Sequence, residues 1–428
     1  MNAFHYRDGR LFAEEVPLDD LARRVGTPLY VYSAGAIRAR YRAWREAFRD
    51  LPVLFCYAVK ANPNLAVLRL LSGLGAGADT VSGGEIERAL EAGIAPNRIV
   101  YSGVGKSDAE LRLALEVGIR QINVESREEL RRLSELATAA GRTAAIAIRV
   151  NPDIDAETHD KITTARLRDK FGIPYSEAFE AYDEASRLPG IRAVGLHLHL
   201  GSQITAMGPF ARACRFALEL LRELRRRGHP LRHLDLGGGF GIAYRPGEQR
   251  FDPVPLAALL GELTAELDVE LLIEPGRIFV GEAGVLLARV IGRKETPEKR
   301  FLVLDAGMQT LLRPALYDAW HEILPVRCDP RAERERVEVV GPICESGDVL
   351  GRDRLLPRLQ RDDLVAITCA GAYGATMASD YNSRPRAAEV LVDGRRWAII
   401  KPRREAREQF ADERVPDWLE TVPLQAGA

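Results

Sequence analysis

The chain has 428 residues, 46% of them hydrophobic and 28% charged, with a formal net charge of −1. That length exceeds what one compact core holds and allows two domains or a large barrel with an addition. The near-zero charge argues against nucleic acid or an anionic membrane as partner. No segment approaches the ~18 uninterrupted apolar residues of a membrane helix, the opening "MNAFHYRDGRLFAEE" has no apolar signal region, and the five cysteines are scattered without a CxxC pair. These features predict a cytoplasmic protein with neither a disulfide framework nor a zinc centre.

"YRDGRLFAEE" reads as a hairpin that could add a strand to a module elsewhere in the chain. Eight short β-type runs then alternate with amphipathic helical stretches: "VLFCYAV", "GAGADTVS", "RIVYSG", "QINVES", "AAIAIRVNP", "AVGLHLHLG", "HLDLGGG" and "VELLIEPG". The pattern predicts a (β/α)8 barrel over residues 30–280, with an open doubly wound sheet as its rival. From residue 281 onward, β runs such as "FLVLDAG", "RVEVVGPI", "DLVAITCAG", "AAEVLVDG" and "RWAIIKP" follow one another without long helices. They predict an all-β C-terminal domain, to which residues 1–29 would be added. The polar stretch over residues 151–170 is long for a loop in a compact domain and reads as a lid.

Polar residues fall repeatedly at the ends of the barrel runs: Lys60, Asp79, Arg149, His199, the glycines after Asp235, and Glu274 with Arg277. In a barrel those ends share one mouth, where the active site lies. A lysine there could simply be exposed or salt-bridged, and "GGG" at 237–239 could be only a tight turn. Three bare N–H groups near the last strands, with Arg277 close by, also suit a phosphate. "SGVGKS" lacks the earlier glycine of a nucleotide P-loop, because Val100 stands there, and "GGGFG" lacks the last glycine of a dinucleotide turn, because Ile242 stands there. "HLH" puts His197 and His199 on one face of a strand, but no third histidine or cysteine is near in sequence, so no metal is expected. A phosphate cradle, a lysine, a carboxylate and an imidazole on one mouth make up the kit for pyridoxal 5'-phosphate. In the second domain, Cys344, Glu345, Asp348 and Tyr373 lie in glycine-flanked loops; a free cysteine is more often a buried small hydrophobe than a reagent.

In order, the strings "YAVKAN", "GADTVSGGE", "RVNPDIDAETH", "KFGI", "GLHLHLGSQI", "LDLGGGFG", "EPGR", "LLRPALYDAWHEI", "GPICESGD" and "AGAYGATMASDYNSRPRAAEVL" span nearly the whole chain. The chain thereby resembles the fold-type III pyridoxal-phosphate decarboxylases, and within them the diaminopimelate decarboxylase family. The resemblance implies Lys60 as the Schiff-base lysine, His199 stacked on the cofactor ring and Glu274 on its nitrogen. It implies Ser202, Gly238, Gly239, Gly276 and Arg277 around the phosphate, with Tyr373 also bordering the cofactor; Asp79 and Arg149, at strand ends on the same mouth, are expected to bind the cofactor too. Arg277, Arg313, Tyr317, Glu345 and Tyr373 would bind substrate, and Cys344 would donate a proton. The implied reaction converts meso-2,6-diaminopimelate to L-lysine and CO2, the last step of bacterial lysine biosynthesis, in a homodimer with shared active sites. Decarboxylation of ornithine, lysine or arginine is the alternative, with none of these substrates offering a second carboxylate to Arg313; a racemase or a non-catalytic cofactor carrier stands further off. "TTARLRDKFGI" lacks the glycine expected after Thr164, and "SGVGKS" departs from the more usual asparagine-containing version.

Overall fold

The computed structural model describes residues 3–152, 154 and 170–420; the lid reading and the missing glycine after Thr164 lie largely or wholly outside them. Eight parallel strands, Val53–Ala58, Gly77–Thr80, Ile99–Tyr101, Gln121–Val124, Ala144–Asn151, Ile191–His197, His233–Asp235 and Glu270–Ile273, pair in sequence. The last pairs with the first, Ile273 opposite Phe55, so the sheet closes into a barrel and the open-sheet alternative falls. Seven of the eight runs read from the sequence contain one of these strands, and "AVGLHLHLG" overlaps the eighth, Ile191–His197, which starts two residues earlier. Helices return the chain around the outside, and several begin on side-chain caps: Asn64, Ser82, Ser107 and Ser126 each accept a backbone N–H of the turn they start. Such caps satisfy donors that a helix start leaves orphaned, and they fix where these four loops at the barrel mouth end.

A second sheet runs in the order Val349–Pro357, Arg334–Val340, Arg300–Leu304, Gly284–Glu295, Leu29–Ser33, Ala388–Asp393, Arg396–Lys401. Leu29–Ser33 lies in the middle of this sheet, antiparallel to Gly284–Glu295 and parallel to Ala388–Asp393. The chain therefore enters the barrel after Ser33, at helix Ala34–Ala47, and a boundary at residue 30 cuts through a strand. All five residues of that strand are buried, which is why its run carries no alternation to tell the two domains apart. Gly284–Glu295 and Val349–Pro357 are strands that the β runs of the sequence did not single out. The N-terminal hairpin forms as expected, Phe4–Arg7 against Arg10–Ala13, but it belongs to a small three-stranded sheet.

One apolar cluster runs through the barrel's outer layer into the β domain, from Trp44, Phe55 and Phe279 to Val339 and Ile367. Polar ties cross the same boundary beside Lys60: Asn62 donates to the Gly371 carbonyl at 3.1 Å, and the Tyr373 N–H to Ala61 O at 2.8 Å. The loop bearing Tyr373 is thus pinned to the turn bearing Lys60. No described helix is long and apolar enough to cross a membrane.

Candidate active site

Lys60 sits in the single 3-10 turn Val59–Ala61 that follows the first barrel strand. Its ammonium lies 2.8 Å from Asp79 Oδ2, and its side chain keeps 35% exposure to a cavity of about 680 Å³ at the barrel mouth. Burial lowers the basicity of Lys60, but the charges of Asp79, Tyr373 and Glu274 outweigh it and raise its pKa. Lys106, from the "GKS" string, is different: its Nζ is fully buried and donates to Gly103 O, Asn123 O and Glu129 Oε1. It is a strut under the loop at 102–105, which lines the cavity.

Glu274 immediately follows the last barrel strand and is buried where it lines the cavity. Asn123 Nδ2 and Ser102 Oγ each lie 3.4 Å from its Oε1, and His197 Nε2 lies at 3.5 Å. Burial would raise its carboxyl, but His197 and Lys60 prevail and hold it down at about 2. Beneath it, Asp235 accepts from Gln121 Nε2 at 3.2 Å and from the Gly237 N–H at 3.1 Å, so the barrel's lumen is a connected polar network. His197, Asp235 and Glu274 bring ligand atoms within 4.8 Å of one another. The sequence offered "HLH" no third histidine or cysteine; the fold brings it two carboxylates, and these, against the opposing effect of burial, raise the His197 pKa.

His199 points into the cavity, and its imidazole is kept neutral by burial and by Arg149. Its Nδ1 accepts the Gly238 N–H at 3.2 Å, which leaves the ring proton on Nε2. Gly237 at φ +65° and Gly239 at φ +98° take left-handed turns, and a Cβ on Gly238 would lie 2.2 Å from Glu274 O. The three glycines are needed for the backbone to pass this close to the strand ends. Arg149 is paired with Glu125 at 2.7 Å while still lining the cavity, as does Ser202; Gly276 precedes the short helix that carries Arg277.

The β domain closes the far side. Arg313, Tyr317 and Tyr373 line the cavity together with Arg277. Tyr373 holds φ +55°, a costly conformation for a tyrosine, and its ring lies 4.7 Å from the Arg277 guanidinium. Tyr244, which the sequence did not single out, bonds Arg277 through its hydroxyl and lies 4.6 Å under the Arg313 guanidinium. Among the described residues no carboxylate lies within ion-pair distance of Arg277 or Arg313, although both are buried. Two uncompensated guanidiniums are a site for anions.

Cys344 and Glu345 stand apart from this cavity. Both are exposed, on a loop braced by Asp348, which accepts the N–H groups of Met308 and Ile343. The buried-hydrophobe reading of Cys344 is therefore wrong: the loop projects it outward. Glu345 accepts from the Tyr381 hydroxyl.

A lysine, a low-pKa carboxylate and a neutral imidazole converge with two arginines and Ser202 on a cavity of ligand size, beside the turn of Gly237, Gly238 and Gly239, and this donor set fits pyridoxal phosphate. Fold and site together define a barrel-type pyridoxal-phosphate enzyme. Residues 34–281 match the family model for the pyridoxal-binding domain of pyridoxal-dependent decarboxylases. The chain is 47% identical to the diaminopimelate decarboxylase of Vibrio cholerae over 97% of its length and 99% of that protein's. It is 48% identical to that of Pseudomonas aeruginosa, covering 96% and 99%. Among solved structures, the diaminopimelate decarboxylase of M. jannaschii in complex with L-lysine superposes with a TM-score of 0.92 at 37% identity, over 98% of this chain and 99% of that one. The Helicobacter pylori enzyme with L-lysine gives 0.89 at 40% identity, over 92% and 98%. The chain belongs to the diaminopimelate decarboxylase family.

Proposed function

We infer that the enzyme decarboxylates meso-2,6-diaminopimelate to L-lysine and CO2. The observation that carries the substrate is the pair of buried guanidiniums, Arg277 and Arg313, which line the same cavity as Lys60 and have no carboxylate partner among the described residues. A second carboxylate satisfies Arg313, beside which Arg277 also faces the cofactor phosphate; ornithine, lysine and arginine leave Arg313 unpaired, and such a site can discriminate by ~10⁴ or more. Purified protein incubated with the cofactor should release CO2 from meso-diaminopimelate and form lysine. Release from ornithine, lysine or arginine at a comparable kcat/KM would overturn the reading.

Bound pyridoxal phosphate supplies the electron sink for the carbanion left when CO2 departs. Lys60 would hold the cofactor through Nζ, and Asp79 beside it would offset positive charge there. Glu274, anionic at any working pH, would keep a proton on the ring nitrogen. His199, oriented by Gly238, would cover one ring face, and Ser202, Gly238, Gly239, Gly276 and Arg277 would surround the phosphate, with Arg149 and Tyr373 at its border. Arg313, Tyr317 and Arg277 would read the distal carboxylate. Arg313→Ala should raise KM for diaminopimelate on the order of a hundredfold, by leaving that carboxylate unpaired, while the absorption of bound cofactor stays as in wild type. An unchanged kcat/KM would remove Arg313 from the site.

The exposure of Cys344 and Glu345 supports a homodimer in which each loop completes the other chain's cavity. The partner subunit's Glu345 would then bind the distal ammonium, and the partner subunit's Cys344 would donate the proton that completes the product. Mixing Lys60→Ala with Cys344→Ala subunits after reversible dissociation makes roughly half the dimers mixed, each with one unmutated site of two, so activity should return to about a quarter of wild type. No recovery despite demonstrated exchange would mean that both residues act within one chain. The five free thiols support a reducing compartment, and we assign the enzyme to the cytoplasm; fractionation of the native cells tests this.

A further inference from the structure

His321 has no role in the scheme above, yet it is wholly buried and touches the residue proposed to read the substrate. Its Nδ1 lies 2.8 Å from the carbonyl oxygen of Thr368. A carbonyl only accepts, so Nδ1 carries the ring proton. Nε2 is then a lone pair, and Arg313 Nη1 donates to it at 2.8 Å. Burial and the Arg313 charge hold the imidazole down at about 3, which keeps it neutral through the working range. The ring stands edge-on to Tyr244, 5.3 Å between centroids at 78°, and Tyr244 is the ring beneath the Arg313 guanidinium. The backbone is fixed as well: His321 O accepts from Arg354 Nη2 at 3.0 Å, and that guanidinium lies 3.1 Å from the Trp320 ring centroid.

This arrangement solves a definite problem. A buried arginine that must bind a substrate carboxylate has to be held in place, but a carboxylate holding it would neutralise the charge and compete with the substrate. A neutral acceptor occupies one of the five guanidinium N–H groups, orients the planar fork, and leaves both the charge and the other donors to the ligand. We propose that His321 is a specificity-determining positioning residue, a tautomer-locked neutral acceptor that aims Arg313 at the distal carboxylate without quenching it. The proposal rests on the reading of Arg313 as the carboxylate reader.

The test compares His321→Gln with His321→Glu, two side chains of nearly the same shape, of which only the second carries charge. Both are made as full-length holoenzyme, with cofactor absorbance and melting temperature recorded. His321→Gln should keep KM for meso-diaminopimelate within about fivefold of wild type, whereas His321→Glu should raise it about a hundredfold, as Arg313→Ala does, with a smaller change in kcat. Equal KM values for the Gln and Glu variants, with Arg313→Ala still impaired, would overturn this inference alone. An unimpaired Arg313→Ala would overturn the reading beneath it. Should the Glu variant not fold, His321→Leu carries the test: KM is expected to rise about tenfold through the orphaned Arg313 donor and to be restored in the Gln variant. A Leu variant with wild-type KM would also overturn it.

Discussion

Lys60→Ala should lower kcat/KM by at least about a thousandfold and abolish covalent retention of the cofactor, because no other described lysine lines the cavity. Lys106 is fully buried and has three hydrogen-bond partners, and Lys170 is exposed beside Phe171. Borohydride reduction of wild-type holoenzyme followed by peptide mapping should find the cofactor on Lys60; recovery on Lys106 or Lys170 would overturn the assignment. The pairing with Asp79 adds a pH dependence. The neighbouring charges that raise the Lys60 pKa make the neutral amine scarce near neutrality. Only that amine is nucleophilic, so cofactor uptake by apoenzyme should accelerate as pH rises from about 7 to about 9. A rate that is flat or falls over this window would mean that Lys60 is already deprotonated in the folded protein.

Glu274→Gln should cut kcat on the order of a thousandfold, with KM far less affected, because a neutral amide cannot hold a proton on the ring nitrogen of the electron sink. The wild-type carboxylate can do so, since His197 and Lys60 hold it at about 2 despite burial and it stays ionised at any pH at which the protein works. The variant also takes from His197 one of the two carboxylates that raise its pKa, so imidazole resonances in apoenzyme should show His197 titrating lower than in wild type. That second readout is independent of turnover. A kcat within about tenfold of wild type would mean that Glu274 does not face the ring nitrogen.

Much of this site was legible before any fold was known. Short apolar runs closed by polar residues and separated by helical stretches mark the barrel strands, and Lys60, His199, Glu274 and Arg277 stand at or just beyond their ends. The order of the motif strings carried the family. Other features left no such mark. Leu29–Ser33 is buried on both faces, so nothing in its pattern says which sheet it joins; pairing with Gly284–Glu295 decides that. Tyr244 lies in an irregular loop, where side-chain direction follows no period.

What the sequence by itself determined was the set of barrel strands, the cofactor and the reaction class, since each rests on residues close in the chain or on motifs in a recognisable order. Only the tertiary structure decided which groups act on one another. Asp235 comes within reach of Gln121 by barrel closure, Tyr244 comes to lie under Arg313, and His321 is locked between Arg313 and Thr368. It likewise put Cys344 and Glu345 on the outside of a loop, away from their own chain's cavity. The physical reason is one of range: hydrophobic periodicity is set within a few residues, whereas the charge states of buried groups such as Lys60, His197 and Glu274 are set by neighbours roughly tens to hundreds of residues away in the chain, which only the packed fold brings close.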